Sequence, residues 1–180
     1  MSTKLKIAAA VAAAVLLSAC SSPKHEPMPL VKFTPSMEVT EVWSKGLSSA
    51  EGFLVPAVYD DMVFAAGGKT LTRLNARTGE TEWSVSFNSP ITGGVGSDGY
   101  VTAVGLWDGN LEVVDAEGKV SWEKKLTTEL ASPPVVSHGL VIARTMDTRV
   151  SAFEASSGEL QWTYQRSQPA LTVRLPTRML

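Results

Sequence analysis

The chain is 180 residues long, enough to bury a sizeable core, with 44% hydrophobic residues and a net charge of −2 from 16 basic and 18 acidic side chains. That balance argues against nucleic acid or an anionic lipid surface as a partner. The single cysteine, Cys20, excludes an internal disulfide and any cysteine-based metal cluster.

The first element in chain order is a leader. Lys4 and Lys6 precede an apolar run of 11 residues, Ile7 to Leu17. A helix needs about 20 apolar residues to cross a hydrocarbon core of ~30 Å, so the run is too short to span. Residues 1–19 read instead as a signal peptide. Its end, Leu17-Ser18-Ala19-Cys20, resembles the lipobox of bacterial lipoproteins. The resemblance implies a diacylglyceryl group on the Cys20 thiol, cleavage before Cys20 and acylation of the new amine. Several acyl chains together give stable anchoring where one alone binds only marginally. Ser21 stands where inner-membrane retention signals of this class carry aspartate, which favours sorting to the outer membrane. The plainer alternative is a chance cysteine beside an ordinary cleavage site. Cleavage would also remove Lys4 and Lys6, leaving 14 basic against 18 acidic residues. Residues 20–37 contain Pro23, Pro27, Pro29 and Pro35 and are expected to form an extended spacer between lipid and folded domain.

From 38 to 174 the pattern is strand and turn: apolar residues alternate with period 2, and none sustain a helical period. Trp43, Trp83, Trp122 and Trp162 recur at intervals of 40, 39 and 40 residues, and the last three each follow a glycine (Gly79, Gly118, Gly158) by four. A tryptophan signature at about 40 to 45 residues marks propeller blades. Each copy divides into four short antiparallel strands. The first takes in Leu54–Val58, Met62–Ala66, Thr70–Leu74 and Glu80–Phe87. The second runs from Thr92 to Leu126 and the third from Pro134 to Tyr164. Asp60-Asp61, Asp98-Gly99, Asp108-Gly109 and His138-Gly139 supply turns, with two-residue loops expected at the Asp-Gly pairs. The fold class is therefore an all-β propeller of four-stranded blades, here three blades plus an orphan strand, Val39 to Ser44. The tryptophans are expected to pack each blade on its neighbour. An aromatic box for a ligand such as a quinone is the functional alternative.

The segments Asn75-Ala76-Arg77-Thr78-Gly79-Glu80-Thr81-Glu82-Trp83 and Glu154-Ala155-Ser156-Ser157-Gly158-Glu159-Leu160-Gln161-Trp162 resemble the quinoprotein-type propeller repeat. Joined to a lipobox, they resemble the BamB family, lipoprotein subunits of the outer-membrane β-barrel assembly machinery, over the chain up to about Arg174. The resemblance implies an eight-bladed propeller without catalysis or cofactor, lipid-anchored on the periplasmic side of the outer membrane and docked on the POTRA domains of the barrel subunit BamA. The family's Leu-x-Leu-Arg contact loop is matched by Leu171-Thr172-Val173-Arg174, with valine for the second leucine, which implies partner-binding roles for Leu171, Val173 and Arg174. Read from the residues alone, Leu171 and Val173 better suit a buried opening strand of a fourth blade; the resemblance turns the reading to the contact role.

Residues 175–180 do not continue the blade pattern, so the expectation is a truncated member with one blade face uncovered. Two other readings stay open: a fragment of a quinoprotein dehydrogenase, and a periplasmic propeller lipoprotein with another partner. Neither catalytic nor metal-binding residues are expected. His25 and His138 are isolated, and Asp60, Asp61, Asp98 and Asp108 serve turns.

Overall fold

The computed structural model describes residues 28, 30, 36–48 and 54–166. The chain divides into two units, Met1–Val39 and Thr40–Leu180. Every strand among the described residues belongs to the second. Cys20, most of the spacer, and Leu171, Val173, Arg174 and the 175–180 tail lie outside the described residues. Among the described residues no helix is long and apolar enough to cross a membrane.

Three four-stranded sheets follow one another, each a simple antiparallel meander. The first blade is β1 (Ala57–Tyr59), β2 (Met62–Gly67), β3 (Thr70–Asn75) and β4 (Thr81–Ser86). The second is β5 (Ile91–Ser97), β6 (Thr102–Leu106), β7 (Asn110–Val114) and β8 (Val120–Lys125). The third is β9 (Val135–Ser137), β10 (Leu140–Arg144), β11 (Arg149–Glu154) and β12 (Leu160–Gln165). The all-β propeller architecture expected from the repeat is what the chain adopts.

Turn chemistry sets the registers. Tyr59 pairs with Met62 and Ser137 with Leu140, so Asp60-Asp61 and His138-Gly139 are two-residue loops. His138 and Gly139 both take positive φ, 51° and 74°, as a type I′ hairpin requires. The Asp98 turn is longer than the expected two residues. Ser97 pairs with Thr102, leaving Asp98–Val101 as the loop. The cause is local: Asp98 Oδ1 accepts the backbone N–H groups of Tyr100 (3.0 Å) and Val101 (2.9 Å), holding them out of the ladder. Asp108 likewise accepts the Asn110 N–H, and the loop there spans Trp107–Gly109 between Leu106 and Asn110.

A bulge recurs at one place in every blade. Leu74 pairs with Thr81 but Arg73 with Trp83, so Glu82 is the extra residue; Ser121 and Gln161 are its counterparts. An extra residue reverses the facing of everything beyond it. Trp83 therefore shares a face with Arg73, and Thr81, two residues earlier, points the other way.

The apolar residues collect between blades. Phe64, Ala66 and Leu71 of the first blade meet Val95, Val104, Leu106 and Val114 of the second, all buried, with Trp83 and Val85 packed alongside. Ala103, Leu111 and Val113, on the opposite face of the second blade, meet Val141, Ala143 and Phe153 of the third, with Trp122 and Leu126 alongside. The two cores lie between blades, where facing sheets cover one another.

Residues 39–44 are the segment expected as an orphan strand. They are paired into none of the three sheets, so the orphan segment stands without a ladder partner among the described residues. Trp43 nevertheless lies partly buried in an ordered place, described next.

Candidate functional site

Each seated tryptophan occupies the same socket. Trp43 Nε1 donates to the Ala76 carbonyl at 2.9 Å, Trp83 to Ala116 at 2.9 Å and Trp122 to Ala155 at 2.8 Å, always 33 residues further along. The indole face covers the glycine that closes the same turn. A Cβ on Gly79, Gly118 or Gly158 would stand only 2.6–2.7 Å from the ring. These glycines take φ of 72°, 81° and 70°. They thus serve both the turn and the ring above it. The ring also meets a phenylalanine edge: Phe64 with Trp83 at 6.1 Å, Phe153 with Trp122 at 6.0 Å, both tilted.

Arg73 strengthens the first junction. Its Nη1 donates to the Ala116 carbonyl at 3.0 Å, sharing that acceptor with Trp83. Its Nε lies 2.6 Å from Glu82 Oε2, and its guanidinium sits 5.9 Å over the Phe64 ring.

Trp162 is the exception. It has no socket among the described residues; the residue is 43% exposed, beside Tyr164, 60% exposed on the same face. This outer face of the third blade is built like the two seated ones and is uncovered among the described residues.

A second repeated position lies on the other face of each outer hairpin. Thr72 and Ser84 hydroxyls pair at 3.0 Å in the first blade, and Ser151 and Thr163 at 3.1 Å in the third. In the second blade the same two places hold Glu112 and Glu123, directly opposite in register. Burial pushes the Glu112 carboxyl above its ordinary value, and the Glu123 and Asp108 carboxylates push it further. The sequence signal for this pair was the residue immediately after each tryptophan: serine, glutamate, threonine. It becomes legible only when β7 and β8 are in register.

The turn acids are used locally. Asp61 pairs with Arg77 at 2.9 Å on the open surface, and Asp98 and Asp108 hold their own turns. Asp147 accepts hydrogen bonds from Thr127 and Thr145. Burial alone would raise its carboxyl, but those two hydroxyls, the Arg149 backbone and the Arg149 charge outweigh it and lower it. His138 Nδ1 lies 2.7 Å from Ser137 Oγ in an exposed turn.

A tandem of four-stranded sheets, joined by tryptophans that reach forward into the next turn, defines a tryptophan-docked β-propeller repeat protein. Residues 67–180 match the family model described as outer membrane protein assembly factor BamB. The chain is 37% identical over 176 residues to the outer membrane protein assembly factor BamB of Burkholderia pseudomallei, covering 95% of this chain and 46% of that protein. The chain belongs to the BamB family. Among solved structures it superposes on the crystal structure of BamB from Moraxella catarrhalis with a TM-score of 0.60 at 27% identity, covering 67% of this chain and 37% of that one. Quinohemoprotein alcohol dehydrogenase from Comamonas testosteroni shares the fold alone, at a TM-score of 0.52 and 22% identity over 66% of this chain and 21% of that one. The chain thus spans about half the length of the curated relatives it matches.

Proposed function

We propose that this chain acts as a non-catalytic scaffold in outer membrane protein assembly. In this reading Cys20 carries the acyl chains that hold it on the periplasmic side of the outer membrane, and the blades dock on the POTRA domains of BamA. Leu171 and Val173 supply apolar anchors there and Arg174 a planar, multi-donor cation, the residue types that dominate partner sites.

The observation that carries the reading is the threefold tryptophan socket. Each seated indole has one face on a turn glycine and its N–H on a turn carbonyl, so the repeated aromatics are committed to joining blades. That commitment argues against the repeated tryptophans forming an aromatic box for a quinone and favours their role in building a surface. Membership of a family whose relatives are named assembly factors points the same way.

The test is capture of detergent-solubilised BamA by the acylated protein, with Arg174→Glu and Cys20→Ala as variants. Arg174→Glu should abolish capture while leaving the protein in the membrane fraction. Cys20→Ala should release it to the soluble fraction while leaving capture in detergent intact. Undiminished capture by Arg174→Glu would remove the proposed contact.

A further inference from the structure

A cleft of about 360 Å³ opens between the second and third blades. Lys124 of β8 and Leu126 just after it form one wall; Arg149, Ser151 and Phe153 of β11 with Thr163 of β12 form the other. Its volume stands at the small end of ligand sites, roughly 300–1,000 Å³, and suits side chains better than a whole cofactor. The lining has two parts. Leu126 and Phe153 are apolar, while the Ser151–Thr163 hydroxyl pair and three cations make a polar margin.

The cations are underused. The Lys124 ammonium makes no hydrogen bond or ion pair among the described residues. Arg149 donates through Nη2 to Gln165 Oε1 at 3.2 Å, and its Nε stands 3.8 Å from Asp147, too far for a hydrogen bond. The Asp147 oxygens already receive the Thr127 and Thr145 hydroxyls. Lys125, the next cation along, turns its ammonium to the Asp108 carbonyl. The lining residues thus include three cations, Lys124, Lys125 and Arg149, and no acid, in a chain whose overall net charge is −2. The local excess runs against the sign of the whole molecule, so recognition here rests on contact and not on long-range steering.

The same design recurs once. Lys45 follows Trp43 by two residues as Lys124 follows Trp122, and it rims a cleft of about 220 Å³ holding the Thr72–Ser84 pair. At the middle junction the equivalent residue is Val85, packed into the apolar cluster. Lysine thus stands at the two junctions that stay open, and an apolar residue at the one that is filled.

We propose that the cleft between the second and third blades is a docking site for an extended acidic–apolar polypeptide segment, which presents a carboxylate to Lys124 and Arg149 and an apolar side chain to Leu126 and Phe153. Side chains two apart in an extended segment fall on one face about 6.6 Å apart, so a single short stretch can reach both parts of the lining. The proposal does not depend on the BamA reading.

The test is ¹H–¹⁵N NMR titration of the protein with acetyl-Asp-Ser-Phe-amide, its Asn counterpart, and octanoate. The expected result is saturable shifts confined to residues 124–127, 143–153 and 160–165, with the Asn peptide at least ten-fold weaker. Lys124→Glu should weaken binding ten-fold or more, whereas Lys119→Glu, in the exposed turn before β8, should not. Shifts elsewhere, equal binding of the Asp and Asn peptides, or an unaffected Lys124→Glu would each overturn the proposal. Binding of octanoate without the peptide would also overturn it, making the occupant a free amphiphile.

Discussion

Gly118 and Gly139 share a backbone conformation and differ in what lies over them. Both have positive φ, 81° and 74°, but a Cβ at Gly139 meets nothing within 4 Å. At Gly118 it would stand 2.7 Å from Trp83 Cδ2 and 2.9 Å from Cε3. An L side chain in this region costs about 1–2 kcal/mol. The smaller entropy of the unfolded alanine chain returns about 0.4–1 kcal/mol of that. Gly139→Ala should therefore destabilise by about 1 kcal/mol. Gly118→Ala carries the same cost and in addition forces the indole back by about 1 Å, since carbon atoms pack at roughly 3.5–4.0 Å. Overpacking of this kind costs about 1–3 kcal/mol, and loss of the Trp83–Ala116 hydrogen bond about 0.5–1.5 more. The expected difference between the two variants is about 2–4 kcal/mol, or roughly 6–12 °C in melting midpoint. Urea and thermal unfolding followed by circular dichroism measure it. A double-mutant cycle isolates the cause: in a Trp83→Ala background, Gly118→Ala should fall back to about 1 kcal/mol. Equal losses at Gly118 and Gly139, or an additive cycle, would refute the socket as the reason for the repeated glycine.

Three further outcomes are expected. Trp122→Ser should cost about 3–5 kcal/mol, as for other packed aromatic truncations, while Trp162→Ser, in the same repeat position but uncovered among the described residues, should cost under about 1 kcal/mol; urea titration of both decides. Arg73→Met keeps the stem over Phe64 but loses the Ala116 hydrogen bond and the Glu82 pair, for about 1–2 kcal/mol, and Arg73→Lys should not rescue it, because one ammonium does not reproduce the fork that reaches both; thermal midpoints test this. Glu112 has a folded-state affinity for protons above its unfolded value, so its stabilising contribution is full below the ordinary carboxylate range and is lost as pH rises through the raised folded value. Stability should accordingly fall with rising pH across that window in the natural chain and flatten in Glu112→Gln, which pH-stepped urea unfolding would detect.

The blades were legible because a repeat encodes local structure many times over. Gly79, Gly118 and Gly158 with their tryptophans four residues on fix each outer hairpin from contacts only a few residues long, and the period of about 40 sets how many copies follow. The resemblances of Leu17–Cys20 to a lipobox and of Leu171–Arg174 to a contact loop are likewise short linear patterns, readable without a fold. The loop at Asp98 was less legible, since the Asp-Gly pair signals a turn but the Asp98 side chain decides its length.

What only the tertiary structure decided is which faces meet. The bulged residues Glu82, Ser121 and Gln161 reverse the facing of each outer strand, so simple alternation puts Thr81 and Trp83 together when they point apart. The Trp-to-alanine-carbonyl bonds, the acceptor that Arg73 and Trp83 share, the opposed Glu112 and Glu123, and the Lys124–Arg149 cleft all depend on that parity. The seats and the cleft also join separate blades, through residues up to 43 positions apart. A repeat written in sequence specifies the blade, because hairpins close over short distances. The junctions between blades take form only when register and bulge have turned each side chain toward its neighbour.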